Sequence, residues 1–350
     1  MASGLWRTAA STKLLVRDFG IASPSDQRRK RLLEIYAPFA KLEKNSPEYN
    51  ALAYSGKVWE DYHHPGDSAK QGYEKLHQKH TEILAEIDSL KKSMELPVCS
   101  IAKSLVTEYA HQSVQIENNR LKLGDSIKIY DFLSTSFFKQ FDLSTMSSQR
   151  IYEIDIPDVT FLLPAADTSQ TRELANHIVA SQWVAETAYD IRYLSAVSIK
   201  GTDSEAIYTR SWGARVPLGG YRSTPISVRS NPLAIFPYHD EVPALMRRFF
   251  EWRDKTHNAK CLHPLIVACQ SMVYFVSIHP FPDGNGRVSR MLMHDYLVRQ
   301  GYLPVVMQNF DRQGYLRMIR EAAEGKPDNL VETVITTQLE EMQTFKMREL

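Results

Sequence analysis

Apolar residues recur three and four apart along most of this chain, and strict alternation is scarce, a pattern that predicts a helical fold. Residues 26–45 and 68–94 read as amphipathic helices rich in Lys, Glu and Gln. In the second, Leu76, Ile83, Leu84, Ile87 and Leu90 trace one face. Pro97 marks a break. A helix over 101–119 carries Leu105, Tyr109, Gln112 and Ile116 at helical spacing, and another is predicted over 171–194. Residues 213–237 form the one β region. The runs 216–221 and 224–228 alternate there, and their prolines keep the pair at an edge or in a flap. A helix follows from Val242, with Pro243 in its first turn. The apolar run 264–278, interrupted by Gln270 and Ser271, reads as a central core helix and is too short for a membrane span. A last well-marked helix over 287–300 stops at Gly301, with Pro304 just beyond.

Composition narrows the picture modestly. The 350 residues suit about two domains, and 43% hydrophobic with 24% charged residues is ordinary for a soluble globular chain. A net charge of +1, from 42 basic and 41 acidic residues, gives no support to a nucleic-acid or membrane-surface role. The three cysteines, Cys99, Cys261 and Cys269, lack metal-type spacing and point to a reducing, intracellular compartment such as the cytoplasm. Cys261 and Cys269 are expected in or beside a buried helix. His63-His64 and His77/His80 read as solvated helix residues, since no acid or Cys partner stands at metal-ligand spacing. Residues 1–20 hold Arg7, Lys13 and Arg17 with no acid before Asp18, which fits a mitochondrial presequence but fits an ordinary frayed terminus better.

One segment carries the chemistry: His279-Pro280-Phe281-Pro282-Asp283-Gly284-Asn285-Gly286-Arg287-Val288-Ser289-Arg290. Gly284 and Gly286 flank Asn285, so the backbone can turn tightly and aim several N–H groups at one anion. The helix that starts there adds the positive end of its dipole. Arg287 and Arg290, three apart, lie on one helix face within reach of a single polyphosphate. Asp283 is a hard oxygen donor placed to hold Mg²⁺ (or Mn²⁺) against phosphates. His279 can be neutral and basic near pH 7.

Together these residues resemble the Fic (Fido) family signature, His-Pro-Phe-x-Asp-Gly-Asn-Gly-Arg-x-x-Arg, at every defined position. The resemblance runs over about residues 97–339 and implies an all-α fold: a Fic-type helical core over 97–345 with a small β-hairpin flap, preceded by a helical N-terminal extension over 1–95. It implies a protein adenylyltransferase that moves AMP from ATP to a Ser, Thr or Tyr hydroxyl of a target protein. His279 would take the hydroxyl proton, and Asp283 would hold the metal ion. The N–H groups of Gly284, Asn285 and Gly286, with the Asn285 side chain, would steady developing charge. Arg287 and Arg290 would grip the outer phosphates, while Phe281 anchors the loop in the core.

Ser113-Val114-Gln115-Ile116-Glu117-Asn118 resembles the inhibitory-helix pattern Ser/Thr-x-x-x-Glu-Gly/Asn of self-restrained relatives. A Glu117 carboxylate paired with Arg290 would occupy the place a γ-phosphate needs, with Ser113 and Asn118 fixing the helix. The same resemblance puts Val228, Arg229, Ser230 and Asn231 in the flap and Tyr315 beside the nucleoside. Ala323 stands where relatives often place an Asn, which leaves nucleotide selectivity open. Removal of AMP through Glu117, a homodimer, and transfer of UMP, phosphocholine or phosphate stay open as well. So does a catalytically silent nucleotide-binding module, although its usual mark, a lost His or acid, is absent.

Overall fold

The computed structural model describes residues 24–187, 220–228, 231–307 and 311–349. The expected 26–45 helix divides into α1 (Pro24–Ile35) and a 3-10 turn at Ala37–Lys41, because Pro38 enters just after α1 ends. Helices α2 (Pro47–Ser55) and α3 (Lys57–His63) follow, joined at Gly56 in a left-handed turn. The 68–94 stretch becomes α4 (Tyr73–Lys79) and α5 (Thr81–Ser93), which hinge at His80; Leu76, Leu84 and Ile87 are buried, as their spacing predicts. The 101–119 stretch becomes α6 (Val98–Ser104) and α7 (Val106–Gln115), so Glu117 lies just past a helix end and not within one.

Helices α8 (Leu123–Ser136), α9 (Ser148–Glu153) and α10 (Thr168–Thr187) come next; the expected residues 188–194 of the last lie outside the described residues. Then come α11 (Val242–Ala259), α12 (Pro264–Ile278), α13 (Asn285–Arg299), α14 (Arg312–Ala323) and α15 (Asp328–Glu349). The run 264–278 forms the expected central helix. Nearly every face of α12 is buried, and it feeds two hydrophobic clusters. Tyr274, Phe275 and Ile278 join Phe249, Phe281 and Val288 in one; Leu265, Cys269 and Met272 join Ile87, Leu297 and Val334 in the other. A helix apolar all round needs such neighbours on every side. Residues before 95 reach both clusters, through Tyr36 and Trp59 in the first and Tyr73 and Ile87 in the second.

Several smaller expectations change. Among the described residues the β region holds only an isolated antiparallel bridge between Val228 and Asn231, so the hairpin is not seen as strands. Cys261 is exposed in the loop before α12, while Cys99 and Cys269 are buried. His63 packs on the Trp59 ring at 4.8 Å, and His80 faces Glu332 at 3.7 Å, so neither is simply solvated. Residues 1–20 lie outside the described residues. Among the described residues no helix is long and apolar enough to cross a membrane.

Candidate active site

Helix α12 ends at His279, whose backbone turns left-handed with φ +53°. That conformation is unfavourable for a residue with a side chain, and tertiary contacts hold it. Arg222, only 3% exposed, donates Nε to the His279 carbonyl at 2.8 Å. Its main-chain N–H donates to the Pro280 carbonyl at 2.8 Å. Phe236 packs on the imidazole, ring centres 4.5 Å apart. The His279 Nδ1 lies 3.0 Å from the Val276 carbonyl oxygen, which can only accept, so Nδ1 carries the proton and Nε2 is left basic. Burial, reinforced by the nearby Arg222 charge, pushes the His279 pKa down to about 4 against the opposing pull of the Val276 carbonyl and Glu117. The imidazole is therefore neutral at pH 7.

Past His279 the loop is tied from within. Phe281 is fully buried, and its N–H donates to Asn285 Oδ1 at 2.9 Å while Asn285 Nδ2 donates to its carbonyl at 2.8 Å. The Asn285 carboxamide thus shapes the loop directly. Gly284, at φ +78°, makes the left-handed step that starts α13. The first-turn N–H groups of α13 have no carbonyl four residues back, which makes its start an anion site. Asp283 stands at the mouth of this cradle, 61% exposed, with Arg287 Nη2 at 3.8 Å.

Both signature arginines already face carboxylates. Arg290 donates Nε to Ser113 Oγ at 2.9 Å, and Nη2 to the Ser113 carbonyl at 2.7 Å and to Glu117 Oε1 at 2.8 Å. A methyl group placed on Gly286 would stand 2.5 Å from that same Glu117 oxygen. The Glu117 carboxylate therefore lies over the first turn of α13, in the anion site itself. Burial pushes its pKa upward, but Arg290 and Arg287 outweigh that and hold it below the usual carboxylate range. Arg287 pairs with Glu173 of α10, whose other oxygen accepts from Asn119 Nδ2 at 3.0 Å. The turn that carries Glu117 is finished by Asn118 at φ +68°.

The fold thus brings together His279, Asp283, Gly284, Asn285, Gly286, Arg287, Arg290, Ser113 and Glu117. Tyr315 lies beneath Arg290, 5.7 Å from its guanidinium, in the wall of a small cavity of about 30 Å³. That volume holds about one or two waters and not a nucleobase. Ala323 is partly buried against the second hydrophobic cluster. Val228 and Asn231 sit at the tip of the 222–237 segment, while Arg229 and Ser230 lie outside the described residues. Sequence reasoning missed Arg222 and Glu173. A single Arg buried among carbonyls has no periodic signature, and Glu173 reads as one more acid on a helix.

Residues 187–297 match the Fic/DOC family. The chain is 32% identical over 143 residues to Protein adenylyltransferase Fic of Nematostella vectensis, covering 39% of this chain and 33% of that protein. It is 40% identical over 89 residues to Protein adenylyltransferase Fic of Drosophila melanogaster, covering 25% of this chain and 18% of that protein. The chain thus matches only a third or less of either relative's length. Among solved structures, a Fic domain-containing signaling protein from Bacteroides thetaiotaomicron superposes with a TM-score of 0.55 at 18% identity, over 75% of this chain and 97% of that one. Residues 134–508 of Fic-1 from C. elegans superpose with a TM-score of 0.53 at 17% identity, over 91% of this chain and 98% of that one. At such identities the likeness is one of fold.

Proposed function

Starting from a chain that carries a Fic/DOC-family domain, we propose that it is a protein adenylyltransferase restrained by its own Glu117. The reading assigns residues 97–345 to the transferase unit and residues 1–95 to an extension packed against it. ATP lays its phosphates along the start of α13, where main-chain N–H groups of Gly284, Asn285 and Gly286 and the side chains of Arg287 and Arg290 meet the negative charge. The target hydroxyl enters beside the 222–237 segment, which acts as the flap; the reading assigns Val228, Arg229, Ser230 and Asn231 to it, with Val228 and Asn231 meeting at its tip. Tyr315 supports the nucleoside side through Arg290.

His279 Nε2 takes the proton of the hydroxyl as its oxygen attacks the α-phosphorus. The new P–O bond joins AMP to the target, the bond to the bridging oxygen breaks, and pyrophosphate leaves with its electron pair. One exposed protein carboxylate is the donor set Mg²⁺ takes when phosphates and water complete its shell, and Asp283, whose Oδ1 accepts from the Gly284 N–H at 2.6 Å, offers one. No group of three or more His, Cys, Asp or Glu suited to a metal occurs among the described residues; in this reading Asp283 and the nucleotide phosphates would hold the ion together. Once bound, it would neutralise charge on the α- and β-phosphates.

The observation that carries the reading is an anion cradle at the start of α13, following the His279 loop, that the Glu117 carboxylate already fills. The test incubates the Glu117→Gly protein with labelled ATP, UTP and CTP and a cell lysate. Protein-bound label from ATP, lost in Glu117→Gly/His279→Ala, is expected; label from UTP or CTP alone would reassign the transferred group. No transfer from any nucleotide would sink the reading.

A further inference from the structure

Segment 222–237 runs out and back as a hairpin does, yet its arms are joined by arginines where a ladder would be. Near the base, Arg222 donates Nη1 to the Thr224 carbonyl at 3.0 Å and Nη2 to the Pro237 carbonyl at 2.6 Å. Further out, Arg28 donates Nη2 to the Ile226 carbonyl at 2.7 Å and Nε to the Ala234 carbonyl at 3.1 Å. Beyond them the arms meet at the Val228–Asn231 bridge. Each guanidinium takes one carbonyl from each arm, at alternate residues of the outgoing one, as successive rungs must. Pro225, Pro232 and Pro237 lack the N–H that backbone rungs would need. A planar fork of five donors can serve two acceptors at once.

The inner rung belongs to the active site, since Arg222 also holds the His279 carbonyl. The outer rung comes from elsewhere. Arg28 lies on α1, and the residue after α1 is anchored just past the returning arm: the Tyr36 ring stacks on Tyr238 at 3.6 Å, and the Tyr36 hydroxyl accepts from the Tyr238 N–H at 2.9 Å. Leu32 and Ile35 pack on the first hydrophobic cluster. Within the basic run 28–31, Arg29, Lys30 and Arg31 are exposed, while Arg28 is half-buried on the flap.

We propose that Arg28 is a positioning residue: through it the N-terminal helix supplies the outer rung of the flap and so sets how firmly a target hydroxyl is held beside His279. This rests on the proposed function, because it takes the braced segment to be the acceptor clamp. Phe236, on the returning arm, touches the His279 imidazole, so looseness in the arms reaches the space a hydroxyl must enter. Arg28 touches none of the phosphate-facing residues named above, so it affects the acceptor and spares ATP.

The test uses the full chain with Glu117→Gly as parent, and adds Arg28→Ala or Arg28→Lys. Hydrogen exchange across residues 222–237 is measured together with ATP affinity and the partition of AMP between protein hydroxyls and water. Hydrogen bonds from a charged donor are strong enough that Arg28→Ala should speed exchange in this segment about tenfold and lower the protein-to-water ratio about tenfold, with ATP affinity unchanged. Arg28→Lys keeps the charge without the fork and should fall between. Unchanged exchange overturns the proposal, as does faster exchange with an unaltered ratio, or faster exchange spread through α12. A parent that transfers no AMP fails the proposed function instead, and exchange alone then decides whether Arg28 braces the arms.

Discussion

The Glu117 carboxylate and the Arg290 guanidinium meet at 2.8 Å directly above the first turn of α13. Because Arg290 is also bound to Ser113 through two further hydrogen bonds, this arginine closes the cradle by fastening α7 to α13. The contact is a charge-assisted bond at a helix N-terminus, where an anion is favoured twice over. Any phosphate that seats there must first displace this carboxylate.

Glu117→Gly should therefore raise AMP transfer and tighten productive ATP binding. Coupling between two ligands for one site is typically worth about 1–3 kcal/mol, or roughly 5–150-fold. Glu117→Asp should release only part of it, since a shorter carboxylate stays near the arginine. Glu117→Gly/Arg290→Ala should fall back, because the freed guanidinium is then missing. Glu117 lies beyond the end of α7, so glycine interrupts no helix, but it leaves the buried Arg290 guanidinium without its carboxylate and should lower the thermal midpoint. Labelling with radioactive ATP after a check of folding decides it. Equal labelling by parent and variant would remove the brake.

His279→Ala should lower transfer about 10²–10⁴-fold while leaving ATP binding intact, as expected for a base that is not a phosphate ligand. The pH profile is more specific. Because burial and Arg222 lower the His279 pKa to about 4, the basic form persists far below the usual histidine range. In the Glu117→Gly background kcat/KM should stay level from neutrality down to about pH 5, with its acid limb below about 4, because the Glu117 charge that raises the His279 pKa is then gone. An acid limb centred near 6.5 would show that the imidazole is not held as the structure has it.

Much of this site was legible beforehand because its residues are adjacent in the chain. The order from His279 to Arg290 specifies a base, a turn and two same-face arginines without knowledge of the fold. Glu117 was legible only through the resemblance of residues 113–118 to an inhibitory-helix pattern upstream of that signature. Arg222, Glu173 and Arg28 act across 57, 114 and 206 residues, and nothing local marks an arginine that will meet carbonyls instead of water. Helix content was readable from apolar spacing, but breaks at His80 and Leu105 were not, because neither carries a glycine or proline. The expected hairpin failed as strands because its prolines remove ladder donors, which the sequence displayed and the alternation pattern outweighed.

Asp283→Ala should weaken metal-dependent transfer and leave stability almost unchanged. Its carboxylate is 61% exposed, and surface substitutions are usually within about ±0.5 kcal/mol. One carboxylate can still dominate the placement of an ion that otherwise keeps its waters. Excess Mg²⁺ should rescue the variant only partly, because the ion would bind the nucleotide without being oriented by the loop. A titration of Mg²⁺ against labelling in the Glu117→Gly background measures this, and undiminished transfer at low Mg²⁺ would contradict the assignment.

Gly286→Ala separates two consequences that Glu117→Gly combines. The added methyl would stand 2.5 Å from Glu117 Oε1 and 3.2 Å from Arg290 Nη1. The carboxylate is the far end of a flexible side chain and can move aside, so the pair with Arg290 should loosen. If a broken pair were sufficient for activity, Gly286→Ala would activate as Glu117→Gly does. The methyl, however, occupies the same space above the first turn of α13 that phosphate oxygens need, and close approach of an anion to backbone N–H groups there depends on the missing side chain. Gly286→Ala alone should therefore fail to raise transfer, and Gly286→Ala added to Glu117→Gly should lower it, with the loss appearing in ATP affinity. Losing one or two charge-assisted contacts corresponds to about a tenfold or larger weakening of binding. Titrating a fluorescent ATP analogue into the single and double variants checks the order. Activation by Gly286→Ala equal to that of Glu117→Gly would mean that the anion does not sit over this turn, and the site built from Gly284, Gly286 and Arg290 would need to be redrawn.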